Sequence, residues 1–251
     1  MKPLALQLYT LRQRSAENFF GVLREVAEIG YAGVELAGLF DHKVEEVRKV
    51  LDDLGLICAS SDHPPVTAEN LSQAVDFAGA LGCTLFMGGW NRDDWQTLDG
   101  VKRAADAYQQ ANELLEPHGI RLCYHNHWWE MHEIDGKLAL EHFLELAPAA
   151  WAQMDVYWAS NFGKVDVPAL LTKWSARVPM LHIKDGPLVE GEPHTAVGAG
   201  KMDIPACIAA ASEETLEWLI VELDECAGDM TQAVRESYAY MTTNALAKGS
   251  K

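Results

Sequence analysis

Apolar residues in the first half of the chain recur with helical spacing, and each helical stretch runs into a Gly and then a short apolar run. Phe19, Val22, Leu23 and Val26 share one helix face, and Val44, Val47, Leu51 and Leu54 share the next. Leu71, Ala74, Val75 and Ala78 repeat the pattern, as do Val101, Ala104, Ala105, Tyr108 and Leu115. Gly30, Gly55, Gly82 and Gly119 close these stretches, where a helix ends in a left-handed residue. A strand is predicted directly after each Gly, beginning near residues 33, 56, 83 and 120, and residues 4–9 form the first strand.

The second half continues the alternation. Strands are predicted at 152–156, 178–183 and 219–223, and helices at 138–146, 168–174, 204–211 and 230–241. Pro168 and Pro205 sit just inside two of these helices, behind Asp166 and Asp203 as caps. Eight strands alternating with eight helices make an α/β chain of parallel βα units. A length of 251 residues suits one closed barrel of about 250 residues. The expectation is a single (β/α)₈ TIM barrel over residues 1–251, with the last residues, 248–251, frayed.

Charge narrows the partners. With 37 acids against 20 bases the net charge is −17, which repels phosphate backbones and argues against nucleic acid. No run of about 18 apolar residues is present, so no membrane span is expected, and no signal peptide is visible. The five cysteines form no CxxC pair, which points to buried thiols in a reducing, cytoplasmic setting. A homo-oligomer is left open.

In a barrel of this kind the chemistry sits where strands end at their C-terminal side. Strand one ends Gln7-Leu8-Tyr9, strand two in Glu35, and strand three in Ser61-Asp62-His63. Strand five ends Tyr124-His125-Asn126-His127, with Glu130 just beyond. Strand six ends at Asp155, strand seven at His182-Ile183-Lys184-Asp185 and strand eight at Glu222-Leu223-Asp224-Glu225. A lone Asp at a strand end is commonly a cap or turn residue. Asp155, His182 and Glu222, however, hold matching positions on three consecutive strands, which suits a divalent cation. Carboxylates favour Mg²⁺ or Mn²⁺, and imidazole shifts the preference toward Mn²⁺, Zn²⁺ or Co²⁺. His125 and His127 share one face of their strand, so either is a candidate ligand or base. Trp90, Trp128, Trp129 and Trp158 are candidates for an apolar floor beneath a sugar ring, and core packing serves as well for any one of them.

Taken in order along nearly the whole chain, these segments resemble the sugar phosphate isomerase/epimerase family of xylose-isomerase-like barrels. The likeness rests on Gln7-Leu8-Tyr9-Thr10-Leu11-Arg12, Gly33-Val34-Glu35-Leu36, Tyr124-His125-Asn126-His127 with Glu130, and Met154-Asp155-Val156-Tyr157-Trp158. It continues through Leu181-His182-Ile183-Lys184-Asp185, Val197-Gly198-Ala199-Gly200 and Ile220-Val221-Glu222. The resemblance implies one divalent metal, often Mn²⁺ or Mg²⁺, held by a Glu, an Asp, a His and a Glu on strands five to eight. Three positions carry over, as Asp155, His182 and Glu222. Tyr124 stands where the first Glu belongs, so the fourth ligand falls to His127, to His125 or to Glu130, or the site is incomplete; His127 is the choice taken forward.

The expected reaction is proton abstraction next to the carbonyl of a sugar or keto sugar. Glu222, or His125 or His127 of the His pair, would act as base, and Lys184 would neutralise developing charge or a substrate phosphate, or serve only as a salt-bridge partner of Asp185, while Glu130 would assist or hold a hydroxyl. Gln7, Glu35, Asn126 and Trp158 would hold the substrate. Isomerisation and epimerisation are one outcome, and lyase or hydrolase chemistry on 3-keto sugars is the alternative that the Tyr-His-Asn-His strand implies. Two other readings compete. One is a DNA endonuclease of the same superfamily, which the acidic charge disfavours, and the other is a metal-free sugar-binding or partner subunit.

Overall fold

The computed structural model describes residues 1–250. Its eight barrel strands are β1 (Lys2–Gln7), β2 (Gly33–Leu36), β3 (Ile57–Asp62), β4 (Leu85–Gly88), β5 (Arg121–His125), β6 (Trp151–Asp155), β7 (Met180–Ile183) and β8 (Trp218–Val221). Each pairs in parallel with the next, and β8 returns to β1 through Leu4–Leu219, Ala5–Ile220 and Leu6–Val221. The sheet is therefore a closed (β/α)₈ TIM barrel, and closure leaves no edge among its eight strands.

The principal helices are α1 (Arg12–Ile29), α2 (Val44–Leu54), α3 (Leu71–Leu81), α4 (Leu98–Leu115), α5 (Ala139–Leu146), α6 (Val167–Trp174), α7 (Ile204–Ala210) and α8 (Met230–Thr243). Their apolar faces pack on the outward side chains of the strands. Phe19, Val22, Leu23 and Val26 of α1 are buried with Leu4 and Leu6 of β1. The four glycines expected at helix ends all have positive φ, from 64° at Gly82 to 116° at Gly30. Asp166 and Asp203 accept from the amides of Ala169 and Ala206, each at 3.0 Å, so both caps are made.

The C-terminus departs from expectation. Instead of fraying, Ala247–Lys248 adds a short parallel strand to Lys2–Pro3, and the Ser250 amide donates to the Gly30 carbonyl at 2.8 Å. Backbone pairing anchors the tail where a sequence of small and charged residues gives no apolar signal. Lys251 lies outside the described residues.

Period-two alternation sets the barrel interior in layers. Ala5, Ala59, Leu85, Cys123, Met180 and Ile220 form an apolar plug with Trp218. Two residues further along the same strands, the inward positions turn polar: Gln7, His125, His182 and Glu222. Glu35 and Gln153 join that polar layer, and both are fully buried. The change from apolar plug to polar layer places the site at the C-terminal ends of the strands.

Candidate metal centre and active site

Glu35 organises the floor. Its carboxylate accepts from Gln7 Nε2, Ser60 Oγ, Gln153 Nε2 and, at 2.7 Å, His182 Nε2. The other ring nitrogen of His182 donates to Glu222 Oε2 at 2.7 Å. Two carboxylates facing both ring nitrogens require an imidazolium. Burial pushes the ring toward neutrality, but the charges and hydrogen bonds of Glu35 and Glu222 outweigh it and raise its pKa to about 10.

Beside this chain lies a buried ammonium. Lys184 Nζ is 2.9 Å from Asp155 Oδ2, 2.8 Å from Glu222 Oε2 and 3.0 Å from Asp224 Oδ2. Burial disfavours its charge, and the three carboxylates more than offset that, so it stays cationic. Glu222 is driven the other way. Burial favours its neutral form, but Lys184 and His182 hold it ionised, well below the usual carboxylate range. Burial raises Asp155 despite the Lys184 charge.

His125, Asp155, His182 and Glu222 each offer a donor atom, and all four atoms lie within 4.8 Å of one another. Their supports suit a metal. Gln153 Nε2 is committed to Glu35, so its Oε1 accepts from His125 Nδ1 at 3.0 Å, leaving His125 Nε2 with the free lone pair. Glu35 holds His182 in the same way at Nε2, leaving Nδ1 on the Glu222 side. Carboxylates and amides that fix the far nitrogen of a ligand imidazole are characteristic of metal sites. Asp155 Oδ2 is buried with the Lys184 ammonium at 2.9 Å as its partner, so an ion in the cluster would share that oxygen with Lys184. Two imidazoles with two carboxylates fit a borderline divalent ion such as Mn²⁺, Zn²⁺ or Co²⁺ better than Mg²⁺.

The cluster opens into a cavity of about 670 Å³ on the C-terminal side of the barrel. Gln7, Tyr9, His125, His127 and Glu222 line its lower part, and Trp128, Trp129, Trp158 and Phe162 form an aromatic wall. Of the expected residues, Asp155, His182 and Glu222 come together, and Trp158 and Gln7 line the cavity. His127 does not join them. β5 stops at His125, and beyond it His127 stacks on Trp129 with ring centres 4.0 Å apart. The fourth residue that groups with them is His125.

Five other residues stand elsewhere than the sequence suggests. Glu35 was expected to hold substrate; it is fully buried and spends its oxygens on Gln7, Ser60, Gln153 and His182. Asn126, also expected at the substrate, clamps the backbone of Asp155, accepting from its amide at 3.0 Å and donating to its carbonyl at 3.3 Å. Glu130 accepts from the Tyr124 hydroxyl and, at 2.8 Å, from the His127 amide, which shapes the β5 loop from behind the cavity wall. Trp90 donates to Asp94 at 2.9 Å and does not line the cavity. Lys184 is buried, and its partners are Asp155, Glu222 and Asp224, not its neighbour Asp185.

Asp185 has a different task. Its two oxygens accept from the amides of Gly186, Gly198, Gly200 and Met202 at 2.8–3.1 Å, drawing the loop after β7 into a closed turn. A Cβ on Gly200 would stand 2.1 Å from Asp185 Oδ1, so only Gly lets the chain come this close.

Gln153 is not picked out by the sequence, and Asp224, read there as part of a strand end, carries no role in it. Gln153 lies two residues before Asp155 on the same inward face, and a polar residue there was a usable signal. Asp224 follows Glu222 by the same step, joins Lys184 and accepts from Trp158 Nε1 at 3.1 Å.

A closed parallel barrel with a buried His-Asp-His-Glu cluster under an aromatic cavity defines the class: a (β/α)₈ barrel with a candidate cation site at its C-terminal rim. The chain belongs to the xylose isomerase-like TIM barrel family, whose profile matches residues 23–243. No curated protein matches it. Among solved structures, a sugar phosphate isomerase/epimerase from Parabacteroides distasonis shares 24% identity, covers 98% of this chain and 96% of its own, and superposes with a TM-score of 0.78. An IolI protein with a bound zinc atom shares 13% identity with 98% coverage of each chain and a TM-score of 0.71. A D-allulose 3-epimerase from Methylomonas sp. shares 15% identity, covers 96% of this chain and 97% of its own, and gives a TM-score of 0.68. At these identities the three share the fold. No helix among the described residues is long and apolar enough to cross a membrane.

Proposed function

We propose that this protein is a divalent-metal-dependent sugar isomerase or epimerase that removes a proton from the carbon next to a sugar carbonyl. The observation that carries this reading is the cluster of His125, Asp155, His182 and Glu222 at the base of an aromatic-walled cavity. Those four residues would hold the ion. When bound, it supplies a Lewis acid that polarises the substrate carbonyl and acidifies the neighbouring carbon.

Glu222 is the base in this reading. It lines the cavity and is ionised, with Lys184 at 2.8 Å and His182 at 2.7 Å. Its basicity is held low by those neighbours, so it suits a carbon acid that has already been acidified. Lys184 holds a fixed positive charge between Asp155, Glu222 and Asp224 beneath the cavity, where it needs no reorganisation. Trp158 packs against the sugar face, and Gln7 offers an amide to a hydroxyl. The relatives' names, a sugar phosphate isomerase/epimerase and a D-allulose 3-epimerase, lend support to this chemistry.

The test is solvent exchange. Protein stripped with chelator and reloaded with Mn²⁺, Co²⁺ or Zn²⁺ is incubated with ketohexoses in D₂O, and deuterium at the carbons flanking the carbonyl is read by NMR. Metal-dependent incorporation that is lost in Glu222→Gln is expected. No incorporation with any metal or ketose would sink the reading.

A further inference from the structure

Phosphate recognition has a recognisable chemistry: Arg or Lys side chains, free amides of a glycine-rich loop, or a helix N-terminus. In barrels of this kind such a site is commonly built by the loops after strands seven and eight. Both loops here are acidic. Among the described residues, the cavity is lined by Asp62, Glu190, Glu192, Glu222, Asp224 and Glu225, and by no Lys or Arg. Glu190 and Glu192 come from the loop after β7, and Asp224 and Glu225 follow β8.

The amides of the glycine-containing turn after β7 are already used. Gly198, Gly200 and Met202 donate to Asp185, whose carboxylate fills the turn. The nearby cations are committed as well. Lys184 is buried among three carboxylates, Arg12 donates to the carbonyls of Tyr9 and Asp224, and Arg92 stacks over Trp128 and Trp129 without lining the cavity. Of the lining imidazoles, His125 is tied through Nδ1 to Gln153, His127 stacks on Trp129, and burial lowers the His194 pKa to about 4. At the floor, Glu35, Asp155, Glu222 and Asp224 face Lys184 and His182. A divalent ion held by His182 would displace the extra proton of that imidazole, so the floor is left with no spare positive charge, and Asp62, Glu190, Glu192 and Glu225 add negative charge around the mouth.

The rest of the cavity suits something apolar. Trp128 and Trp158 lie 4.7 Å apart between ring centres, with Trp129 at 4.6 Å from Trp128 and Phe162 at 6.1 Å from both Trp128 and Trp158. Trp158 reaches from this wall to Asp224, the partner of Lys184, so the wall begins beside the reacting centre. Four aromatic rings offer more platform than one sugar ring at the cluster covers, and aromatic faces take ring faces of C–H or π character.

We infer that the cavity takes an unphosphorylated, uncharged sugar that carries a second ring on the Trp128–Trp129–Trp158–Phe162 wall, and that it rejects sugar phosphates. This rests on the proposed carbonyl chemistry for the placement of the first ring. It departs from the phosphate in the name of the Parabacteroides relative.

The experiment is direct binding to the Mn²⁺-loaded protein by calorimetry and saturation-transfer NMR, with phenyl β-D-glucoside, D-fructose and D-fructose 6-phosphate as probes. Phenyl glucoside is expected to bind about tenfold or more tightly than the phosphate, with strongest saturation on the phenyl protons. Trp128→Ala should reduce that preference several-fold. Joint Glu190→Gln and Glu192→Gln substitution should strengthen fructose 6-phosphate binding several-fold at low ionic strength, an effect that salt erases. Equal or tighter binding of the phosphate, no binding of the glucoside, or no response to removing the two acids would overturn the inference. The two readings fail separately. Deuterium exchange into a sugar phosphate would keep the carbonyl chemistry and overturn the substrate class. Selective glucoside binding without exchange into any keto sugar would do the reverse.

Discussion

Glu35 and His182 meet at 2.7 Å in the barrel interior, 147 residues apart in the chain and both without solvent exposure. A buried carboxylate is costly unless its lone pairs are used, and Glu35 uses them on four donors. The pair gives His182 its orientation and its charge. In Glu35→Gln, one of the two carboxylates facing the imidazole is gone, so the His182 pKa in metal-free protein should fall from about 10 toward the ordinary value. Loss of this support should also weaken Mn²⁺ binding about 10–100-fold. Histidine NMR titration and calorimetry check both; an unmoved His182 would refute the positioning role.

Lys184 neutralises Asp155, Glu222 and Asp224 from within. Lys184→Met keeps the length of the side chain and removes its charge, leaving buried carboxylates unpaired. A loss of about 3–5 kcal/mol is expected in urea unfolding of the metal-free protein. Mn²⁺ should restore part of it and raise the melting temperature more in the variant than in the wild type, because the ion then supplies the missing charge. Equal stability of variant and wild type would contradict this role.

Asp185 closes the loop after β7 with four amide hydrogen bonds. In Asp185→Ala those amides lose their acceptor, and hydrogen exchange at Gly198, Gly200 and Met202 should accelerate, while amides in β1 stay protected. A destabilisation of about 2–3 kcal/mol is expected, given charged acceptors. Unchanged exchange in the loop would show that other contacts hold it.

His194 is 4% exposed, its Nδ1 accepts from the Asp224 amide at 3.1 Å, and burial with the Lys184 charge lowers its pKa to about 4. Its contribution to stability has a definite sign. Above pH 6.5 the ring is neutral folded or unfolded, and the contribution is fully present. As pH falls from 6.5 to about 4, the unfolded chain takes up a proton that the folded protein refuses, so stability is lost. The loss is at most roughly 3 kcal/mol across that window. His194→Asn keeps an acceptor for the Asp224 amide and does not titrate. Urea midpoints from pH 7 to 4.5 should therefore fall less steeply in the variant, and parallel curves would exclude His194 as the source.

Much of this molecule was legible along the chain. Helix faces, glycine C-caps and Asp-Pro helix starts depend on neighbours within a turn or two, so spacing alone predicted eight βα units. Eight repeats with polar residues at the strand ends brought Asp155, His182 and Glu222 to one rim, since period-two alternation and parallel pairing dictate which side chains point inward.

The tertiary structure decided the rest, and the reason lies in distance along the chain. Whether His125 or His127 is the fourth residue of the cluster depends on where β5 stops, because alternation ceases to hold once the strand ends. Glu35 reaches Gln153 across 118 residues and His182 across 147, contacts that exist only because the barrel closes. No local pattern separates Asn126, which clamps Asp155, or Glu130, which braces the β5 loop, from a residue that holds substrate. The sequence by itself determined the barrel and three corners of the site. Closure, strand length and the competition of buried donors for Glu35 decided the fourth residue of the cluster and which polar residues face the cavity.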